Sequence, residues 1–171
     1  VTRLLGPKGR FRVRAAGVAV RDGRVLVHRE TQPSPWTNSA LPGGGVEMHE
    51  SSDAAVVREF REELGVDVRV GRLLWCVDNR FGHEGEDWHE FGFYWEALLP
   101  ADFVLPMRPT AERDPADGRA FELRWAWHPL ERLDEIELRP SFLVEGLRDP
   151  PRATRFLVHR DEPAPPTSAG A

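Results

Sequence analysis

One strongly patterned helix dominates the chain: it follows a run of three glycines, Gly43 to Gly45, and ends in a crowd of carboxylates. The segment from Ser52 to Leu64 is stopped by Gly65, a residue suited to the left-handed position that closes a helix. At about 100° per residue, Val57, Phe60 and Leu64 fall on one side and form a core stripe. Glu59, Glu62 and Glu63 fall within roughly a 100° arc on another side. Glu59 and Glu63 are like charges four residues apart, and all three acids sit where the helix dipole disfavours them. Local propensity is opposed twice, a conflict that tends to mark functional positions. A divalent cation would relieve both terms, and carboxylate oxygens suit Mg²⁺ or Mn²⁺ rather than zinc. A solvated acidic face, offset by Arg58 and Arg61, explains the helix alone equally well.

Strands surround this helix. Arg10 to Val20 and Val25 to Val27 read as two strands joined at Asp22-Gly23, a two-residue hairpin turn. Glu30 to Ser39 is a loop. Val66 to Asp78 is strand with Gly71 marking a bulge, His83 to Asp87 is a polar loop, and Phe91 to Leu99 is strand again. Pro100 to Gly118 is a long excursion. Ala120 to Trp127 is the last clear strand, and Ser141 to Leu147 a short amphipathic helix. Residues 1–162 are expected to form one domain, and residues 163–171, rich in Pro and Ala, a disordered tail.

Composition excludes several classes. Acids outnumber bases by 28 to 23 for a net charge of −5, which argues against binding duplex nucleic acid. Lys8 is the lone lysine, so the basic residues are almost all arginine. One cysteine, Cys76, excludes an intrachain disulfide and a cysteine-based zinc site. No apolar run approaches the ~20 residues of a membrane span, and no secretory signal is visible. The expectation is a cytoplasmic protein with no membrane partner.

The residues flanking the helix break the tie over its acids. From Gly44 there are five residues, then Glu50, seven more, then Arg58-Glu59-Phe60, one residue, Glu62-Glu63, one residue, and Gly65-Val66. These nine positions over 23 residues resemble the Nudix box, and Leu41-Pro42-Gly43-Gly44 resembles its usual lead-in. The resemblance implies an α+β Nudix fold, an α/β/α sandwich with a central mixed β-sheet. It also implies Mg²⁺-dependent hydrolysis, with Mn²⁺ as a substitute, of a pyrophosphate bond in a nucleoside diphosphate joined to another group. By carry-over, Glu59, Glu62 and Glu63 supply metal ligands and Gly43 its carbonyl, while Glu50 and Arg58 form the ion pair that supports the box. The partner implied is a small nucleotide-type phosphoanhydride, and a homodimer is compatible with the resemblance. The rival is a nucleotide-binding or regulatory module without catalysis, which ranks second because Glu50, Glu59, Glu62 and Glu63 are all intact.

The general base stays open among Glu59, Glu90, Glu112 and Glu122. Glu122 lies on the strand that resembles the border of the site, whereas Glu112 reads more simply as a solvated acid. Substrate contacts are sought at Arg29, which ends the second strand, at Glu90, and at the aromatic residues Trp36, Phe81 and Trp88. His83 and His89 match no zinc spacing, and Cys76 in its apolar strand reads as an inert thiol.

Overall fold

A computed structural model describes residues 9–31, 38–83, 86–113, 118 and 120–161. Trp36 and the 163–171 tail lie outside the described residues. In chain order the elements are β1 (Gly9–Val18), β2 (Val20–Arg21), β3 (Arg24–Glu30), β4 (Gly43–Gly45) and α1 (Ser52–Leu64). There follow β5 (Arg69–His83), β6 (Glu86–Leu98), β7 (Thr110–Arg113), β8 (Ala120–Pro129), a 3₁₀ turn (Leu130–Glu135), α2 (Leu143–Arg148) and β9 (Arg155–Arg160). No described helix is long and apolar enough to cross a membrane.

The strands form two sheets. Five are ordered β4-β1-β6-β5-β9, with β1·β6 and β5·β9 parallel and the rest antiparallel. Four more, β2-β3-β8-β7, are all antiparallel. The chain leaves the first sheet at Ala19 and enters the second at β2, so the expected first strand is split between them. Asp22 and Gly23 both have positive φ, 51° and 69°, the conformation of a tight hairpin whose twist matches its strands.

Alternation along β1 and β3 shows how the layers form. Ala15, Ala19 and Leu26 join the cluster around Val56 and Phe60 of α1. Their neighbours Ala16, Val18, Val25 and Val27 join the opposite cluster, with Leu143 and Leu147 of α2 and Leu133 of the 3₁₀ turn. Strands buried on both faces read as near-continuous apolar runs, and here helices close both sides as the α/β/α expectation requires. Gly17 lets α1 lie directly on β1: a Cβ there would stand 2.4 Å from the Phe60 ring.

Several boundaries differ from those expected. β5 and β6 continue through His83 and from Glu86, so most of the expected polar loop is an extended hairpin. Its polarity reflects strands that run beyond the covered core. The expected Gly71 bulge coincides with a register shift between Val70 and Leu73. Thr110–Arg113 adds a strand inside the long excursion, and Arg155–Arg160 adds another near the chain end.

Candidate active site

β4 and α1 bring the box together. The helix ends as its sequence requires: Gly65 is left-handed at φ 65°, and the N–H groups of Gly65 and Val66 close on Arg61 and Phe60 carbonyls. This stop holds Glu59, Glu62 and Glu63 on the last two turns, beside the glycine strand. Glu63 is buried, and its carboxylate accepts the Gly43 N–H at 3.2 Å. Gly43 itself has φ 140°, and a Cβ there would lie 2.2 Å from the Ala15 carbonyl oxygen. At Gly44 a Cβ would lie 2.1 Å from Glu59 Oε1, so the bare backbone forms a cradle for that carboxylate.

Arg58 fastens this arrangement. Its Nε and Nη2 donate to the two oxygens of Glu50 at 2.9 and 3.0 Å, a bidentate pair. Nη2 also donates to the Gly45 carbonyl at 2.8 Å, tying the helix to the glycine strand. Nη1 donates to Glu59 at 2.8 Å and Glu62 at 3.0 Å. The hydrogen bonds from Arg58 hold Glu50 below the usual carboxylate range.

The other acids are pushed the opposite way. Burial raises Glu59, despite the adjacent Arg58. Burial and then the charge of Glu59 raise Glu63 well above the ordinary value, partly countered by Arg14. Glu112 is also raised, by burial and by the charges of Glu59 and Glu62. These are carboxylates short of positive charge.

Glu112 therefore belongs to the acid group, a position its sequence did not reveal. Strand parity explains why. Glu112 stands opposite Phe121 in the β7–β8 register, so it shares the face of Phe121, Leu123 and Trp125, which packs towards α1. Glu122 is one residue out of phase, exposed on the other face, where Thr31 Oγ1 donates to it at 3.3 Å. The structure does not bring Glu122 to the helix glutamates. Arg29 is likewise exposed on β3, directly opposite Arg124. Glu90 is buried on β6 and paired with Arg12. Phe81 and Trp88 lie on strands rather than in a loop, with stacked rings. Arg14 is a second residue the sequence did not single out. It donates to the Leu41 carbonyl at 3.1 Å, and its charge acts on both Glu59 and Glu63.

The fit of a divalent cation rests on donor chemistry. Glu59, Glu63 and Glu112, raised first by burial and then by neighbouring carboxylates, stand with Glu62 as a set of oxygen donors that matches a hard divalent cation. Among the described residues no three acidic, histidine or cysteine side chains form a ready cage. Arg58 draws Glu59 and Glu62 to itself while Glu63 faces the Gly43 N–H. The Gly44 cradle and the charge deficit fit the cation, without a preformed geometry.

Fold and site together define a two-sheet α/β/α protein with a glycine cradle facing a carboxylate helix. A family model described as the NUDIX domain matches residues 11–145, and the chain belongs to that family. Diphosphoinositol polyphosphate phosphohydrolase 3-alpha of Mus musculus is 43% identical over 77 residues, covering 43% of this chain and 44% of that protein. The chain thus spans less than half the length of the curated relatives it matches. The MutT NUDIX hydrolase from Burkholderia pseudomallei has 28% identity and a TM-score of 0.50, covering 71% of this chain and 85% of that one. The MutT protein from Methanosarcina mazei Go1, at 20% identity and TM-score 0.57, covers 84% and 94% and shares the fold.

Proposed function

We propose that the chain is a Mg²⁺-dependent hydrolase that cuts a phosphoanhydride bond in a nucleoside diphosphate linked to another group. The observation that carries this reading is the meeting of Glu59 and Glu63 with the Gly43–Gly45 strand, where the Glu63 carboxylate is buried against the Gly43 N–H and the Glu59 carboxylate fills the space a Cβ at Gly44 would take. Glu59, Glu62 and Glu63, with the Gly43 carbonyl, would hold the ion. When bound, Mg²⁺ draws charge from the phosphate oxygens and lowers the pKa of an attacking water.

The chain's own residues then have separable tasks. Arg58 and Glu50 fix the helix against the glycine strand, so that Glu59 keeps its orientation. Gly44 leaves room for the Glu59 carboxylate. Glu112, on the face of β7 that looks towards α1, takes the proton of the attacking water on a carboxylate oxygen, a task the sequence left open among Glu59, Glu90, Glu112 and Glu122. The names of the relatives, phosphohydrolases of diphosphate-bearing substrates among them, support the reaction class.

The test is an assay of a nucleotide panel with and without Mg²⁺, comparing the wild type with Glu63→Gln. Turnover that requires the metal and drops at least a hundredfold in the variant supports the reading. Turnover indifferent to both changes would sink it.

A further inference from the structure

β1 carries three arginines, Arg10, Arg12 and Arg14, on one face of the five-stranded sheet. Same-face neighbours on a strand are about 7 Å apart, so the row extends about 13 Å from Arg14 out to Arg10. Arg14 stands directly opposite Gly45 of the glycine strand and donates to the Leu41 carbonyl at 3.1 Å, which places the inner end of the row at the candidate site. The outer two arginines are each paired with an acid: Arg12 donates to Glu90, which is 2% exposed, and Arg10 pairs with Glu86.

An aromatic shelf lies beside these pairs. Phe81 and Trp88 stand directly opposite each other on β5 and β6, with ring planes 9° apart and centroids at 6.0 Å. The guanidinium carbons of Arg12 and Arg10 sit 4.8 and 5.3 Å from the Trp88 ring centre. Beneath the shelf, Asn79 is opposite Glu90 in register and 2% exposed, and its Oδ1 has no hydrogen-bond partner among the described residues. A buried acceptor left unmet is a costly feature that asks for a partner.

This chemistry separates two kinds of substrate. A ring bearing many phosphates needs several uncompensated cations, and here every phosphate beyond the inner end would meet Glu86 or Glu90 beside its arginine. An uncharged planar base loses nothing to those acids and gains the shelf, because every base presents a face that stacks on aromatic rings. Resting on the hydrolase reading above, we propose that Phe81 and Trp88 stack the nucleobase of the substrate, and that Glu86 and Glu90, by neutralising Arg10 and Arg12, set the chain's preference for a nucleoside diphosphate derivative over a polyphosphorylated ring.

The experiment measures kcat/KM with Mg²⁺ for ADP-ribose, for a diphosphoinositol polyphosphate and for inorganic tripolyphosphate, which has neither base nor ring. The wild type is expected to favour ADP-ribose over the inositol compound at least tenfold. Trp88→Ala is expected to cut the ratio of ADP-ribose to tripolyphosphate at least tenfold, mainly through KM. Glu86→Gln, at the more exposed pair, is expected to raise the relative rate on the inositol compound, an effect that a merely structural loss would not produce. A wild type that prefers the inositol compound, or ratios unmoved in both variants, overturns the proposal. Titration with ADP in Mg²⁺-free buffer separates the two readings. If no phosphoanhydride is turned over, ADP binding that weakens tenfold or more in Trp88→Ala retains the base site and sinks only the hydrolase reading. Equal or absent ADP binding in both proteins overturns the base site itself.

Discussion

Glu50 and Arg58 meet in a two-pronged ion pair, at 2.9 and 3.0 Å, across eight residues that include the turn into the helix. The same guanidinium reaches the Gly45 carbonyl and two of the three helix glutamates, so one side chain sets the spacing between glycine strand and helix. Lysine keeps the charge but lacks the planar fork. Arg58→Lys is expected to lose about 1–2 kcal/mol in chemical denaturation and at least tenfold in kcat, while the fold persists by circular dichroism.

Two adjacent glycines should respond differently to alanine. A methyl at Gly43 meets backbone at 2.2 Å in a left-handed conformation, so Gly43→Ala is expected to destabilise by about 3 kcal/mol or more. A methyl at Gly44 meets the end of the flexible Glu59 side chain, which can swing away. Gly44→Ala should therefore change stability by less than about 1 kcal/mol yet remove most of the activity. Melting curves read beside turnover distinguish the two.

The acids of β7 and β8 offer a third check. Glu112→Gln is expected to lower kcat at least tenfold with little change in KM. Glu122→Gln, on the exposed face, is expected to leave both within twofold. Steady-state kinetics on one nucleotide substrate decides between the two positions.

Acid stability depends on His28, half-buried beside Trp125 with both ring nitrogens shut off from solvent, and pushed down to about 3, chiefly by burial and then by the Arg14 charge. An unfolded histidine titrates near 6.5. The folded chain binds this proton less readily, so its stabilising effect is complete above pH ~6.5 and is lost as pH falls towards 3. The loss is on the order of a few kcal/mol. Glu59, Glu63 and Glu112 are shifted upward and act in the opposite sense, gaining stability as they protonate. Comparing the wild type with His28→Phe cancels those groups. The expected result is a wild-type stability that declines faster below pH 6.5, measured by urea denaturation at several pH values.

What the sequence made legible follows the physics of spacing. The box was readable because helix geometry turns the positions of Arg58, Glu59, Glu62 and Glu63 into one surface, and because Gly65 ends that surface cleanly. The choice between Glu112 and Glu122 was not readable, because it depends on strand parity, where a single residue of register moves a side chain to the other face. β9 was hidden because Phe156 and Val158 are exposed and only Leu157 and His159 turn partly inward, leaving no apolar alternation to find. The arginine row on β1 was visible as composition alone, and acquired meaning only when β6 placed Glu86, Trp88 and Glu90 beside it.

The most direct measurement is a titration of Mn²⁺ into the wild type and into Glu63→Gln, with free ion followed by electron paramagnetic resonance. The wild type is expected to hold a site whose affinity falls at least tenfold in the folded variant, because the substitution removes a ligand from the helix. Equal Mn²⁺ affinity in the two proteins, or no binding to either, would contradict the claim that the carboxylate helix holds the metal.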